Sequence, residues 1–181
     1  MTSPLKMSVH RPAGRLGQYV RAFQVFSMTE TAGVSVLDFG GADVSVPVCF
    51  GDPVLVEDWG RHEVPSTAVV GPRRQAVWLR FQGTIDQVNI SLFPGAAGAF
   101  VGMPVPELVG RMASPDEVWP RAFLEAVAEL QPLPPGQRIC GLAGLLLGPF
   151  GDGVQAPCAR LYLVENGKIK TEQVVFYLGQ G

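Results

Sequence analysis

The strongest constraint on this chain is an alternation of apolar and polar residues with period two, repeated between Val20 and about Phe93. From Asp43 to Phe50, Val44, Val46, Val48 and Phe50 fall on one face of an extended segment, and Ser45, Pro47 and Cys49 on the other. Ala76 to Phe81 repeats the pattern with Val77, Leu79 and Phe81; Gln87 to Leu92 sets Val88, Ile90 and Leu92 against Gln87, Asn89 and Ser91. Side chains two apart share a face only in a strand, so these are half-buried antiparallel strands. Pro47 donates nothing to a ladder and predicts an edge or bulged strand. Gly83-Thr84 predicts a tight connection between the last two segments, with further turns at Gly40-Gly41, Gly51-Asp52-Pro53 and Gly71-Pro72. Such spacing gives about seven strands, hence a sandwich or small barrel.

After Pro94 the period changes. A small-residue segment opens at Pro94, and Ser114 to Glu117 has the form of a capping box with Pro115 at the first helical position. Pro120 predicts a kink or restart. Phe123, Val127 and Leu130 recur at helical spacing, Pro132 to Pro135 stop that helix, and a second apolar segment runs from about Gln137 to Leu147. The result is an antiparallel helix pair. Its apolar side serves either packing on the sheet or dimerisation. Gly148 to Pro157 reads as a linker. Beyond it, Leu161, Tyr162 and Val164 suggest a helix, followed by a turn at Asn166-Gly167 and a short helix from about Thr171 to Leu178. Three units follow: residues 1–113, 114–150 and 157–181.

Composition bounds the function. With 47% hydrophobic and 17% charged residues over 181 positions, the chain has the makings of a folded core. A net charge of −2 gives no global attraction for nucleic acid. The start has no apolar run of signal-peptide length and no stretch reaches a membrane span, so a cytoplasmic protein is expected. Cys49, Cys140 and Cys158 are odd in number and far apart, which suits buried thiols better than disulfides or a zinc knuckle.

Two runs, in order, carry a resemblance. Val69 to Leu108, VVGPRRQAVWLRFQGTIDQVNISLFPGAAGAFVGMPVPEL, resembles the N-terminal sensor domain of one branch of AraC-like transcription regulators, and Arg11 to Phe23 looks like the opening of such domains. Asn166 to Gly181 is similar to the first helix-turn of that family's DNA-binding domain, through Gly167, Ile169, Val174, Val175, Leu178 and Gly179. Val175 stands where Ala is usual. The resemblance implies an α+β fold: a cupin-like antiparallel β-barrel or sandwich, then the helix pair, then a truncated helix-turn-helix segment. It also implies the effector-sensing and dimerisation region of a bacterial AraC-like regulator. Lys168 and Lys170 would touch DNA phosphates only in a protein that also carries the recognition helix. By itself this chain is then expected to bind no specific DNA, and the expected partners are a small effector and a second copy in a homodimer, with no membrane.

Cupins can be metalloenzymes, but His10 and His62 alone cannot assemble a three- or four-ligand site, so no metal or cofactor is expected. No nucleophile elbow, Cys–His pairing or phosphate-binding glycine loop is present, and catalysis is not expected. Asp52, Glu57 and Asp58 beside Trp59 read as a solvated loop. A small barrel can enclose a ligand, and Phe50, Trp59, Trp78, Arg80 and Gln87 are its candidate wall residues. Trp78 and Arg80 lie opposite Val77, Leu79 and Phe81; the pattern does not say which set faces inward. Two other readings stand beside the regulator: a stand-alone cupin-like enzyme and a dimerisation module that senses nothing.

Overall fold

Two long strands form the spine of the molecule: β2 (Val20–Asp38) and β7 (Val77–Leu92), paired antiparallel along nearly their whole length. The computed structural model describes residues 5–57, 62–64, 67–147, 162–165 and 168–171; for 62–64, 162–165 and 168–171 the description is of the backbone. The other strands are β1 (Lys6–Arg11), β3 (Val44–Cys49), β4 (Val54–Val56), β5 (His62–Val64), β6 (Val69–Val70), β8 (Met112–Ala113), β9 (Tyr162–Glu165) and β10 (Lys168–Thr171). Their order is β10-β9-β1-β2-β7-β3-β6-β8, with β4 pairing β7 and β5 pairing β4 off that path. All pairings are antiparallel, as the alternation requires.

The described sheet is open, which corrects the closed-barrel expectation. Its path ends at β10 and β8, and β8 is only two residues long, too short an edge for a strand to close upon.

Gly83 does not separate two strands. It sits inside the continuous β7 with φ of +82°, where a Cβ would fall 2.1 Å from Asp52 Oδ2. The positive φ favours glycine here, and the absent Cβ leaves room for the Asp52 carboxylate. Across the ladder, β2 shifts register on both sides of Thr31, the partner of Gly83. Such bulges bend a strand, so both long strands bend at the same level.

Pro47 lies on an interior strand rather than an edge, with β7 on one side and β6 on the other. The β6 side is paired only intermittently, at Ser45↔Val70 and the isolated bridge Val48↔Thr67, so a position without a donor is tolerated there.

Helices cover one face. They are α1 (Pro94–Val101), α2 (Val105–Leu108), α3 (Pro115–Val118), α4 (Arg121–Ala128) and α5 (Pro135–Leu147). Phe23, Val25, Val44, Val46, Val48, Val88, Ile90 and Leu92 share one core with Phe100, Trp119, Val127, Leu130, Ile139, Leu142 and Leu146. Phe100, Trp119 and Phe123 stack at centroid separations of 5.0–6.4 Å. The apolar side of the helix pair is therefore spent on the sheet, and residues 114–147 belong to the same core as the strands. Pro120 restarts the helix as expected, and Glu117 Oε1 accepts the Ser114 amide at 3.4 Å.

The segment beyond residue 161 departs from the helical expectation. Tyr162–Glu165 and Lys168–Thr171 are paired strands, and β9 adds to the free edge of β1 through Val9↔Val164 and His10↔Leu163. Tyr162, Leu163 and Val164 include residue types that favour strands, and the unpaired β1 edge supplies ladder partners that an isolated short helix lacks. The expected helix after Thr171 lies outside the described residues.

Candidate functional site

The sheet face away from the helices is built by register. On β7 the odd positions point there, and across the ladder Gln24 faces Asn89, which faces Pro47; Phe26 faces Gln87, which faces Cys49; and Ser91 faces Ser45. These residues line a cavity of about 690 Å³, joined by Val77, Leu79, Phe81 and Ile85 from the rest of β7 and Val54 and Val56 from β4. A straight 16-residue strand would extend about 50 Å, so both ends of β7 can line one cavity only because the strand bends at Gly83.

The cavity has two chemical halves. The half near the end of β7 is polar. Asn89 Nδ2 donates to Gln24 Oε1 at 2.9 Å, and Gln87, Ser45 and Ser91 stand around this pair. Along the first part of β7 the lining side chains are apolar, Val77, Leu79 and Phe81 with Val54 and Val56 of β4, and the Asp38 of the Arg73–Asp38 pair stands in register with Val77 at its start. Leu5 and Phe39 stand at the rim, 43% and 75% exposed.

Four charged residues line it, and they are paired. Arg21 holds Asp43 with contacts of 2.6 and 3.0 Å. Arg73 holds the Asp38 carboxylate and also donates to the carbonyls of Asp38 and Gln75, at 3.1 and 3.0 Å. Burial pushes the Cys49 thiol up to about 11, so it is a neutral wall group and a poor nucleophile. Among the described residues no group of three or more His, Cys, Asp or Glu could hold a metal ion. No described helix is long and apolar enough to cross a membrane.

Of the wall residues expected from sequence, Gln87 lines this cavity. Phe50 faces the helices instead, buried in the core with the Arg138 guanidinium 4.4 Å above its ring. Trp78 is 43% exposed on the outer face, and Arg80, also exposed, pairs with Glu57 at 3.6 Å. The inward set of that segment is Val77, Leu79 and Phe81. Trp59 and Asp58 lie outside the described residues, while Asp52 Oδ2 accepts the Thr84 amide at 2.6 Å. Lys168 and Lys170 lie on β10, in register with Glu165 and Leu163.

Sequence reading passed over Gln24, Asn89, Ser45 and Ser91. The signal was the composition of their face: amides and hydroxyls interleaved with Pro47 and Cys49 are too apolar for an outer surface and too polar for a sealed core. No protein-family model matches this chain, and neither a curated protein nor a solved structure does.

Proposed function

We propose that this chain is an effector-binding domain, the sensor portion of a transcription regulator of the kind its AraC-like resemblance implies, with the cavity on the open face of β7 as the effector site. The observation that carries the reading is that one face of β7, from Val77 to Ser91, lines a single cavity of about 690 Å³, while on the opposite face Val88, Ile90 and Leu92 build the core. Pockets for small organic ligands run from roughly 300 to 1,000 Å³ and combine apolar walls with a few placed polar groups. A ligand that binds one arrangement of the bent strands better than another shifts the population between them, which is what sensing requires. The proposal does not rest on a DNA contact by Tyr162–Glu165 or Lys168–Thr171, which are strands rather than the helices the resemblance implies. Nor does it rest on dimerisation through α4 and α5, whose apolar side is occupied by the sheet.

A thermal-shift screen with a metabolite panel tests the proposal, run in parallel on the chain and on Ser45→Trp, which fills the cavity. A ligand at about 100 times its Kd adds about 2.7 kcal/mol, a rise of several degrees in Tm. At least one compound is expected to stabilise the native chain and to lose that effect in Ser45→Trp. A panel that moves neither protein, or moves both equally, overturns the proposal.

A further inference from the structure

We propose that the molecule this cavity takes is neutral and amphipathic: its polar head, an amide or alcohol, docks on Gln24 and Asn89, and its apolar body lies along Val56, Leu79 and Phe81. This rests on the reading of the cavity as a ligand site and narrows the class of ligand.

The lining carries two arginines and two aspartates, joined as Arg21–Asp43 and Arg73–Asp38. Arg21 makes two contacts to its carboxylate; Arg73 is bound to one carboxylate and two carbonyls. Each guanidinium is already matched by a carboxylate, so an anionic ligand meets no unpaired positive charge at these two pairs and a cationic ligand no unpaired negative one. The four charges sum to zero, so neither sign of charge on a ligand is rewarded by this lining.

Gln24 and Asn89 are direct cross-strand partners, and one bond joins them. Each amide has a carbonyl and an NH₂, so a single mutual bond uses one donor group and one acceptor. What remains at the pair is one whole NH₂ and one whole carbonyl, besides the second N–H and second lone pair of the groups already bonded. That count is the same whichever way the two amides are oriented together, with Asn89 or Gln24 as donor. A head that both donates and accepts satisfies both, as a carboxamide or hydroxyl does. A carboxylate offers no donor and an ammonium no acceptor, so each leaves one amide function unmatched, which costs more than a bond gained.

Polarity also changes along the strand: the amide pair lies on one side of Gly83 on the lining face of β7, and Phe81 and Leu79 lie on the other, before the Arg73–Asp38 pair beside Val77. A ligand that satisfies both ends must change from polar to apolar along its length.

Three probes of equal chain length separate the possibilities: octanamide, octanoate and octylammonium, titrated calorimetrically at neutral pH into the chain and into Ser45→Trp. Octanamide is expected to bind about tenfold more tightly than either charged probe, the equivalent of roughly one well-made hydrogen bond, and Ser45→Trp to lose it. Gln24→Met and Asn89→Leu are each expected to weaken octanamide about tenfold and so to erase its advantage over octanoate. If octanoate or octylammonium binds as tightly as octanamide, with loss in Ser45→Trp, the neutral-ligand inference fails while the cavity remains a ligand site. If none of the three binds, or Ser45→Trp binds them equally, the cavity reading fails and takes the inference with it. The ranking on the unmodified chain decides the matter even where a variant does not fold.

Discussion

Arg138 on α5 donates through Nη1 to the carboxylate of Asp86 on β7, and so ties the last described helix to the central strand. The same guanidinium donates to the Gln131 carbonyl at 2.8 Å and lies over the Phe50 ring, while Gln131 Nε2 donates to the Phe50 carbonyl at 2.7 Å. One buried cation thus joins the helix pair, the end of β3 and the spine of the sheet.

Replacement of that cation leaves Asp86 without its partner. Arg138→Met keeps the apolar stem and is expected to destabilise by about 2–3 kcal/mol, below the full cost of a buried orphan charge because Asp86 is partly exposed. The double variant Arg138→Met/Asp86→Asn is expected to lose less than the sum of the single losses. Urea denaturation of the four proteins checks the cycle; strict additivity would mean that the two residues do not interact.

A shared core makes the helix pair inseparable from the sheet. Leu142→Ala removes a buried side chain packed in the cluster that includes Ile90 and Leu92, and is expected to cost about 2–5 kcal/mol. Unfolding followed by tryptophan fluorescence and by far-ultraviolet circular dichroism should give coincident midpoints in both proteins. Two separate transitions would restore the division at residue 114 that the change of period suggests.

That division illustrates what was legible in the sequence. Val44, Val46 and Val48 declare their common face through period two, and Pro120 declares a helix restart, because both signals are local. Gly83 reads locally as a turn; its positive φ instead serves a bend within β7, and the contacts that accompany it, the β2 bulge at Thr31 and the Asp52 carboxylate at the Thr84 amide, come from distant parts of the sequence. The inward face of Val77 to Phe81 was undecidable for a similar reason: it depends on β4 arriving beside it. Gln24 and Asn89 form a pair only through the β2–β7 register, 65 positions apart, which no pattern within either strand encodes. The residues after 161 carry both helical spacing and strand-favouring types, and the free edge of β1 decides for the strand.

His10 gives the fold a mild acid sensitivity. It is buried on β1, with Ser8 Oγ 3.0 Å from its Nε2, and desolvation lowers its pKa below the ordinary value of 6.5. The folded state therefore resists a proton that the unfolded state accepts. The contribution is whole above pH 6.5 and is lost as pH falls from there toward the folded pKa. His10→Gln, which cannot titrate, is expected to flatten this part of the stability curve; an unchanged slope between neutral and mildly acidic pH would contradict it.

Cys49 offers a readout of the cavity wall. In Cys140→Ser/Cys158→Ser it is the remaining thiol of three, and its raised pKa and burial predict slow alkylation by iodoacetamide at mildly alkaline pH, accelerated many-fold by urea. Equal rates in the native and unfolded protein would place Cys49 in contact with solvent.

The central claim is that the polar half of the cavity receives a ligand's head, and the side-chain amide resonances of Gln24 and Asn89 report on it directly. In a titration of the ¹⁵N-labelled chain with octanamide, those two NH₂ pairs are expected to shift saturably and together, at the ligand concentration that raises Tm. Saturable shifts confined to the helices or to the outer face around Trp78, with Gln24 and Asn89 unmoved, would contradict it.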